Sequence, residues 1–531
     1  MTTSLFGQSF IGHCRSSGAR WFCNARRPGT GERLEPPYYA ASEEEIEKAV
    51  QLADQAFPIY QKLPVTVRAG FLRRIASEIE RAVEEIVLRG GQETALSEER
   101  LRSEARRTMN HLGLFAECIE EGSWADARIE RADPSRHPLP KPDLRSMLCP
   151  LGPVVVFCAG NFPLAYSVAG GDTVSALASG CPVIVIAHEG HPGVAEIVAA
   201  AVVRASVASG LPDGVFSMLY GGGRSVGVAV VEHPLIQAVG FTGSRAGGTA
   251  LMEIAARRPR PIPVFAEMSS INPVVILPGA LERDEEGLAE GFFHSLTHGV
   301  GQFCTNPGLV FLTEETGGRF IRHLKSLVEQ SRPGMMLNDA ICQSFDESIE
   351  AVSACEGVEV LARSLHSPGE GEAAPVVFRV RIEDFIENPS LQREMFGPAT
   401  LFVFGSSREI EEALLRLEGQ LTASLHATEE ELDSHQALVE ILRRRAGRLV
   451  FNGFPTGVEV CTSTVHGGPY PATSEGRSSS VGTLAIGRFC RHVAWQGFPD
   501  AALPPELRDG NPLGIRRMEE GKIRLPREVD P

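Results

Sequence analysis

The chain reads as an α/β protein built on parallel sheets covered by helices, and three observations predict this. Short β-branched runs alternate with helical stretches from Val154 onward, amphipathic helices dominate the N-terminal third, and a proline-dense stretch separates the two. Alternation of that kind is the signature of βαβ units, whose crossover helices force successive strands to run parallel.

In chain order, a polar lead rich in glycine and arginine (residues 7–34) precedes Ser42-Glu43-Glu44-Glu45. This tetrapeptide opens a helix with Ile46, Ala49, Val50, Leu52, Ala53 and Phe57 at helical spacing. Acids in its first turn suit the positive end of the helix dipole. Further amphipathic helices are expected over 65–89, with Phe71, Leu72, Ile75 and Ile79 on one stripe, and over 97–122. Pro134, Pro138, Pro140, Pro142 and Pro150 then prevent helix, leaving Leu144-Arg145-Ser146-Met147-Leu148 as an extended arm or edge strand. Strands follow at 154–157, 183–186, 215–218 and 238–241, with helices at 168–179 and 194–209 and near Gly227 and Ala246. The second half repeats the alternation with strands at 273–277, 309–312, 401–404 and 449–451 and a long helix over 318–330. A Gly/Pro/Ser-rich segment (453–482) and a polar tail come last, and no longer internal repeat recurs.

Composition narrows the function. The 531 residues, 43% hydrophobic and 22% charged, suffice for two or three domains with ample core. A formal net charge of −16 leaves no basic face for nucleic acid or an anionic membrane, so a small-molecule partner is expected. The eleven cysteines show no C-x-x-C pair and no zinc-type spacing, so neither a disulfide framework nor a metal site is indicated, and a reducing cytoplasm is the expected compartment. Arg15 and Arg20 lie in a start without an apolar block, and the most apolar later run, 197–203, stops at Arg204, short of the roughly 18 residues a span needs.

Gly301-Gln302-Phe303-Cys304-Thr305-Asn306-Pro307-Gly308 sets a thiol among small, turn-forming residues. A free cysteine is usually a small buried hydrophobe, and one in such a turn is open to substrate. Glu267, in Phe265-Ala266-Glu267-Met268, offers a carboxylate base, and Asn161, in Gly160-Asn161-Phe162-Pro163, an amide donor. A thiol near a base can add to an aldehyde, an oxyanion donor can steady the adduct, and the carboxylate can activate water against the resulting thioester. Phe241-Thr242-Gly243-Ser244-Arg245-Ala246-Gly247-Gly248 is a strand running into glycines at a helix mouth. Backbone N–H groups there can meet a pyrophosphate, although the pattern is not G-x-G-x-x-G.

Taken in order, these stretches make the chain resemble the aldehyde dehydrogenase superfamily from about Phe22 to about Pro512. Gly301–Gly308, Asn452-Gly453-Phe454-Pro455-Thr456-Gly457-Val458-Glu459-Val460 and His466-Gly467-Gly468-Pro469-Tyr470-Pro471-Ala472-Thr473-Ser474 are most similar to bacterial α-ketoglutaric semialdehyde dehydrogenases and related NADP-using fatty-aldehyde dehydrogenases. The resemblance implies Cys304 as nucleophile, Glu267 as general base and Asn161 as oxyanion donor. It implies further that Glu394 and Phe396, in Glu394-Met395-Phe396-Gly397-Pro398, hold the nicotinamide ribose and ring, with Gly243 and Ser244 at the pyrophosphate. One departure stands out: Ile186 occupies the place of a lysine that commonly contacts the adenosine ribose. Glu189 three residues on would repel a 2′-phosphate, whereas Arg224 would attract one.

The expected organisation is an N-terminal helical part of the cofactor domain (1–140), an oligomerisation arm (141–153), a Rossmann-like cofactor-binding part (154–266) and a catalytic domain (267–460). Residues 461–531 return to the cofactor and oligomerisation region and end in the tail. The expected activity is NAD(P)-dependent oxidation of an aldehyde to a carboxylate in a homodimer or homotetramer. Of the two cofactors NAD is favoured, and α-ketoglutaric semialdehyde is the leading substrate. Medium-chain or general aliphatic aldehydes are the alternative substrates. A binding homologue that has lost turnover, or an acylating enzyme using coenzyme A, are alternatives of other kinds; the joint presence of Cys304, Glu267 and Asn161 argues against the first, and Glu267 as hydrolytic base against the second.

Overall fold

Ser42 caps the first helix, α1 (Glu43–Tyr60): its hydroxyl accepts from the Glu45 N–H while its own N–H donates to the Glu45 carboxylate. This computed structural model describes residues 4–18, 20–313 and 316–525, so residues 526–531 of the expected tail lie outside it. The stretch expected as one helix over 65–89 is two, α2 (Val65–Arg81) and α3 (Val83–Thr94), separated at Ala82, whose ψ of 2° leaves the helical region. The break lets each segment bury its own stripe, Phe71, Leu72, Ile75 and Ile79 on α2 and Ile86 and Val87 on α3. Helix α4 (Glu98–Glu121) is capped by Ser97 and stopped by Gly122 in the left-handed region.

Four more helices alternate with the strands of a first sheet: α5 (Gly171–Ser179), α6 (Pro192–Ala208), the short α7 (Val228–Glu232) and α8 (Arg245–Arg257). The sheet runs in the order Val264–Glu267, Ala238–Thr242, Val154–Phe157, Val183–Ile186, Phe216–Leu219, Phe10–Ile11, Cys14–Arg15. Its first five strands are parallel. Val154–Phe157 and Val183–Ile186 are buried throughout, as strands covered on both faces must be. Each fully buried Val or Ile side chain contributes about 1.5–3 kcal/mol. The two antiparallel edge strands come from the lead, which sequence reading had only called polar. The buried Glu196 of α6 fastens that lead, accepting from the Phe6 and Gly7 N–H groups at 2.9 and 3.0 Å and pairing with Arg15.

The chain leaves this sheet at Glu267 and enters a second at Pro273. The second sheet runs Glu359–Arg363, Val376–Arg381, Ala399–Gly405, Leu309–Thr313, Pro273–Ile276, Gln420–His426, Ala446–Phe451, and only its first strand is antiparallel. In a third sheet Leu144–Pro150 pairs antiparallel with Cys490–Gln496, Arg145 facing Trp495 and Met147 facing Val493. Cys490–Gln496 is the sheet's outer strand. Among the described residues no helix is long and apolar enough to cross a membrane.

Candidate active site

Cys304 follows a turn of left-handed backbone. Gly299, Val300 and Gly301 all adopt left-handed backbone conformations, and a Cβ on Gly301 would lie 2.3 Å from the carbonyl of Gly397. The close approach locks the loop bearing Glu394 and Phe396 against the loop bearing Cys304, and Asn306 Nδ2 donates to the Gly397 carbonyl at 3.1 Å. A third anchor is Asn272, itself left-handed and fully buried, in the crossover between the two sheets. Its Nδ2 donates to the carbonyls of Cys304 (2.8 Å) and Asn306 (2.9 Å), and its Oδ1 accepts from Thr422. Because Glu267 begins the same crossover, Asn272 fixes the thiol-bearing loop relative to the carboxylate.

Glu267 and His466 are each 1% exposed. His466 Nε2 stands 2.8 Å from Glu267 Oε1 and 3.5 Å from Cys304 Sγ, and the Ser480 hydroxyl donates to Glu267 Oε2 at 2.6 Å. The reactive atoms of Glu267, Cys304 and His466 lie within 4.8 Å of one another. Burial alone would raise Glu267, but the charge and hydrogen bond of His466, with bonds from Ser480 and Cys304, hold it below the usual carboxylate range. Burial pushes the half-buried Cys304 thiol well above its ordinary range, and the neighbouring Glu267 adds to this. The resting thiol is therefore protonated and needs a base.

Asn161 lies beside this group: its Nδ2 donates to the carbonyl of Gln302 at 3.1 Å, leaving a second N–H for another acceptor. Phe162, Tyr166, Phe303 and Val481 form an apolar wall, with Phe162 packed edge-on to Phe303 at 5.6 Å and Tyr166 6.2 Å from the His466 ring. Sequence reading gave no role to His466, Ser480 or Asn272. His466 and Ser480 sit in the Gly/Pro/Ser-rich segment, where the one available signal was a histidine followed by Gly-Gly-Pro.

The cofactor residues fall into two groups. Ser244 caps α8, accepting from the Gly247 N–H, and Gly243 to Ala246 are exposed at the carboxyl ends of the parallel strands. That is where a helix N-terminus receives a diphosphate, so these residues fit a dinucleotide. Glu189 and Arg224 are exposed on a neighbouring lip: the charge of Glu189 reaches Cys23, and the Phe22 ring lies 3.4 Å from a Cβ built on Gly222. Ile186 is buried in the core beside this lip. Glu394 lies on the other side; burial pushes it up to about 7 against hydrogen bonds from Ser269 and Ser270. Phe396 shares a small cavity with Glu394, Ser270 and Phe303.

Residues 19–460 match the aldehyde dehydrogenase family. The chain is 45% identical over 523 residues, 98% of its length and 99% of the relative's, to alpha-ketoglutaric semialdehyde dehydrogenase 2 of Azospirillum brasilense. It is 44% identical to the alpha-ketoglutaric semialdehyde dehydrogenase of Acinetobacter baylyi, with 91% and 92% of the two chains covered. In fold it is similar to an NAD+ complex of aldehyde dehydrogenase from Bacillus cereus, with a TM-score of 0.78, 22% identity and 92% and 96% coverage. A glyceraldehyde-3-phosphate dehydrogenase from Methanocaldococcus jannaschii complexed with NADP gives 0.77, 19% identity and 90% and 99% coverage.

Proposed function

The chain belongs to the aldehyde dehydrogenase family, whose reaction is NAD(P)-dependent aldehyde oxidation, and on that premise we propose that it converts α-ketoglutaric semialdehyde to 2-oxoglutarate at Cys304. The observation that carries the reading is the contact of one imidazole with both the Cys304 thiol and the Glu267 carboxylate. Two relatives above 40% identity that bear this substrate's name support it.

In the proposed sequence the Cys304 proton passes to the His466–Glu267 pair and the thiolate adds to the aldehyde carbon. The oxyanion of the adduct takes the second Asn161 N–H and the Cys304 backbone N–H. Bound nicotinamide supplies the hydride acceptor that makes the adduct a thioester. After the pair has released the first proton to solvent, Glu267 draws a proton from water, which attacks the thioester carbon, and returns it to the departing Cys304 sulfur as the acid is freed. Gly243 and Ser244 would hold the pyrophosphate, Glu394 and Phe396 the nicotinamide end. Glu189 beside Arg224 makes NAD the proposed preference.

The apolar wall of Phe162, Tyr166 and Phe303 supports a second reading, oxidation of medium-chain aliphatic aldehydes. The open outer strand Cys490–Gln496 is the proposed contact in a homodimer or homotetramer, and the eleven free thiols suit a cytoplasmic setting. Absorbance of reduced nicotinamide with a panel of semialdehydes and alkanals tests the proposal. A preference for alkanals over α-ketoglutaric semialdehyde would favour the second reading, and no reduction with any aldehyde would sink both.

A further inference from the structure

The proposed substrate carries a carboxylate remote from its aldehyde, and two of the chain's arginines, Arg145 and Arg245, are already engaged. Arg145 pairs with Asp143, Asp500 and Asp509 in the third sheet, and Arg245 holds Glu418 through two bonds of 2.6 and 3.0 Å. The charge of a different cation, Arg107, reaches the thiol. Residues 100, 104, 107 and 111 of α4 recur at three- and four-residue spacing and share one helix face. Arg100 lies over the Phe162 and Phe303 rings at 4.6 and 4.8 Å. Glu104 accepts from the Leu164 and Ala165 N–H groups, each at 2.9 Å, and His111 accepts from the Gly482 N–H, two residues past the Ser480 that bonds Glu267. This face therefore runs from the apolar wall to the back of the carboxylate, and Arg107 lies between those ends.

Arg107 is half-buried and pairs with no carboxylate among the described residues, and its charge bears on the Cys304 thiol and the Tyr166 hydroxyl. From the second sheet, Arg448 bears on the same two groups. Among the described residues its guanidinium meets only the carbonyls of Pro455 and Gly457, and its Nε is buried without a partner. Three acids of this region are committed elsewhere: Glu104 to Arg100 and the backbone, Glu267 to His466 and Ser480, Asp172 to Arg488. In a chain of net charge −16, two half-buried guanidiniums that lack counter-ions among the described residues and whose charges reach the same thiol call for an anion from outside.

We propose that Arg107, assisted by Arg448, binds the remote carboxylate of an ω-oxo acid and so sets substrate choice, an inference that rests on the aldehyde-oxidation reading of Cys304. The planar guanidinium suits a carboxylate through paired N–H donors, which a lysine reproduces only in part. The discriminating measurement is the ratio of kcat/KM for 5-oxopentanoate to that for pentanal, which differ at the remote end. Arg107→Leu should lower this ratio on the order of 100-fold, and Arg107→Lys should recover part of it. Calorimetric binding of glutarate to the full chain supplies a readout without turnover and should be lost in Arg107→Leu. A ratio and a glutarate affinity both within threefold of the parent would overturn the assignment, whatever the rate of oxidation. Loss of glutarate binding in a protein that oxidises no aldehyde would leave Arg107 as an anion site and overturn the catalytic reading instead.

Discussion

His466 Nε2 lies 2.8 Å from Glu267 Oε1, a separation at which a hydrogen must sit between the two atoms. The same nitrogen is 3.5 Å from Cys304 Sγ, and the opposite ring nitrogen, Nδ1, is buried without a partner. Nε2 therefore stands within reach of both the carboxylate and the thiol. Glu267 is bonded by both the ring and the thiol, so the carboxylate and the imidazole together form the proton path from Cys304.

Replacing His466 with Phe should interrupt that path. Positioned acid–base catalysis contributes about 10²–10⁴-fold, so the burst rate of nicotinamide reduction at neutral pH should fall on the order of 100-fold. The pH dependence gives a second test. With the charge and hydrogen bond of His466 gone, burial dominates at Glu267 and its pKa rises, moving the acidic limb of thioester hydrolysis to higher pH. An unmoved limb would show that His466 only fills space.

Cys304 should be the only essential thiol, yet not the only reactive one. Cys461 is exposed, and hydrogen bonds from the Thr464 side chain and the Ser463 backbone lower its pKa, whereas burial holds Cys304 up. Iodoacetamide at neutral pH should label Cys461 first, and activity should follow the slower labelling of Cys304, as read by peptide mass against residual rate. Cys304→Ala should abolish turnover and keep the native circular dichroism. Turnover near the parent rate in that variant would end the covalent mechanism.

Glu267→Gln should separate the two halves of the reaction, because water needs a base at the thioester step while the thiol keeps His466 beside it. Rapid mixing should show a burst of reduced nicotinamide and then slow turnover. A steady rate without a burst would place the defect before the thioester and contradict Glu267 as the hydrolytic base.

The readable parts of this chain were those where local pattern and environment agree. Val154–Phe157 and Val183–Ile186 are buried on both faces and look it, and Cys304 announced itself through its glycines. The strand Gln420–His426 is as deeply buried but reads polar, because Gln420 spends its side-chain oxygen on the Ile271 and Asn272 N–H groups and Thr422 bonds Asn272. Those partners lie about 150 residues away, beyond any local window. His466 was hidden for the same reason: its two contacts come from other strands and loops, 199 and 162 residues distant, while its own neighbourhood reads as a turn.

The adenosine end gives the sharpest test of cofactor choice. Glu189 and the turn bearing Arg224 flank the same strand, at Cys23 and Phe22, so in the proposed cofactor site an acid and a base would compete for whatever occupies the ribose 2′ position. Two like charges about 4 Å apart repel by about 1 kcal/mol in water and about 4 kcal/mol near a protein surface, which corresponds to roughly 5- to 1000-fold in affinity. Arg224 offsets this only if its guanidinium leaves solvent, and the side chain is exposed, where such pairing is worth about 1 kcal/mol or less. The carboxylate should prevail and kcat/KM should favour NAD+. Glu189→Thr removes the repulsion and keeps a hydroxyl for the ribose, so it should raise kcat/KM with NADP+ at least fivefold while changing that with NAD+ much less. Arg224→Ala should then reduce the gain, since in the Glu189→Thr background the guanidinium is the remaining partner for the phosphate. A parent enzyme that prefers NADP+ would mean that Arg224 turns inward on binding and that Glu189 faces away from the ribose.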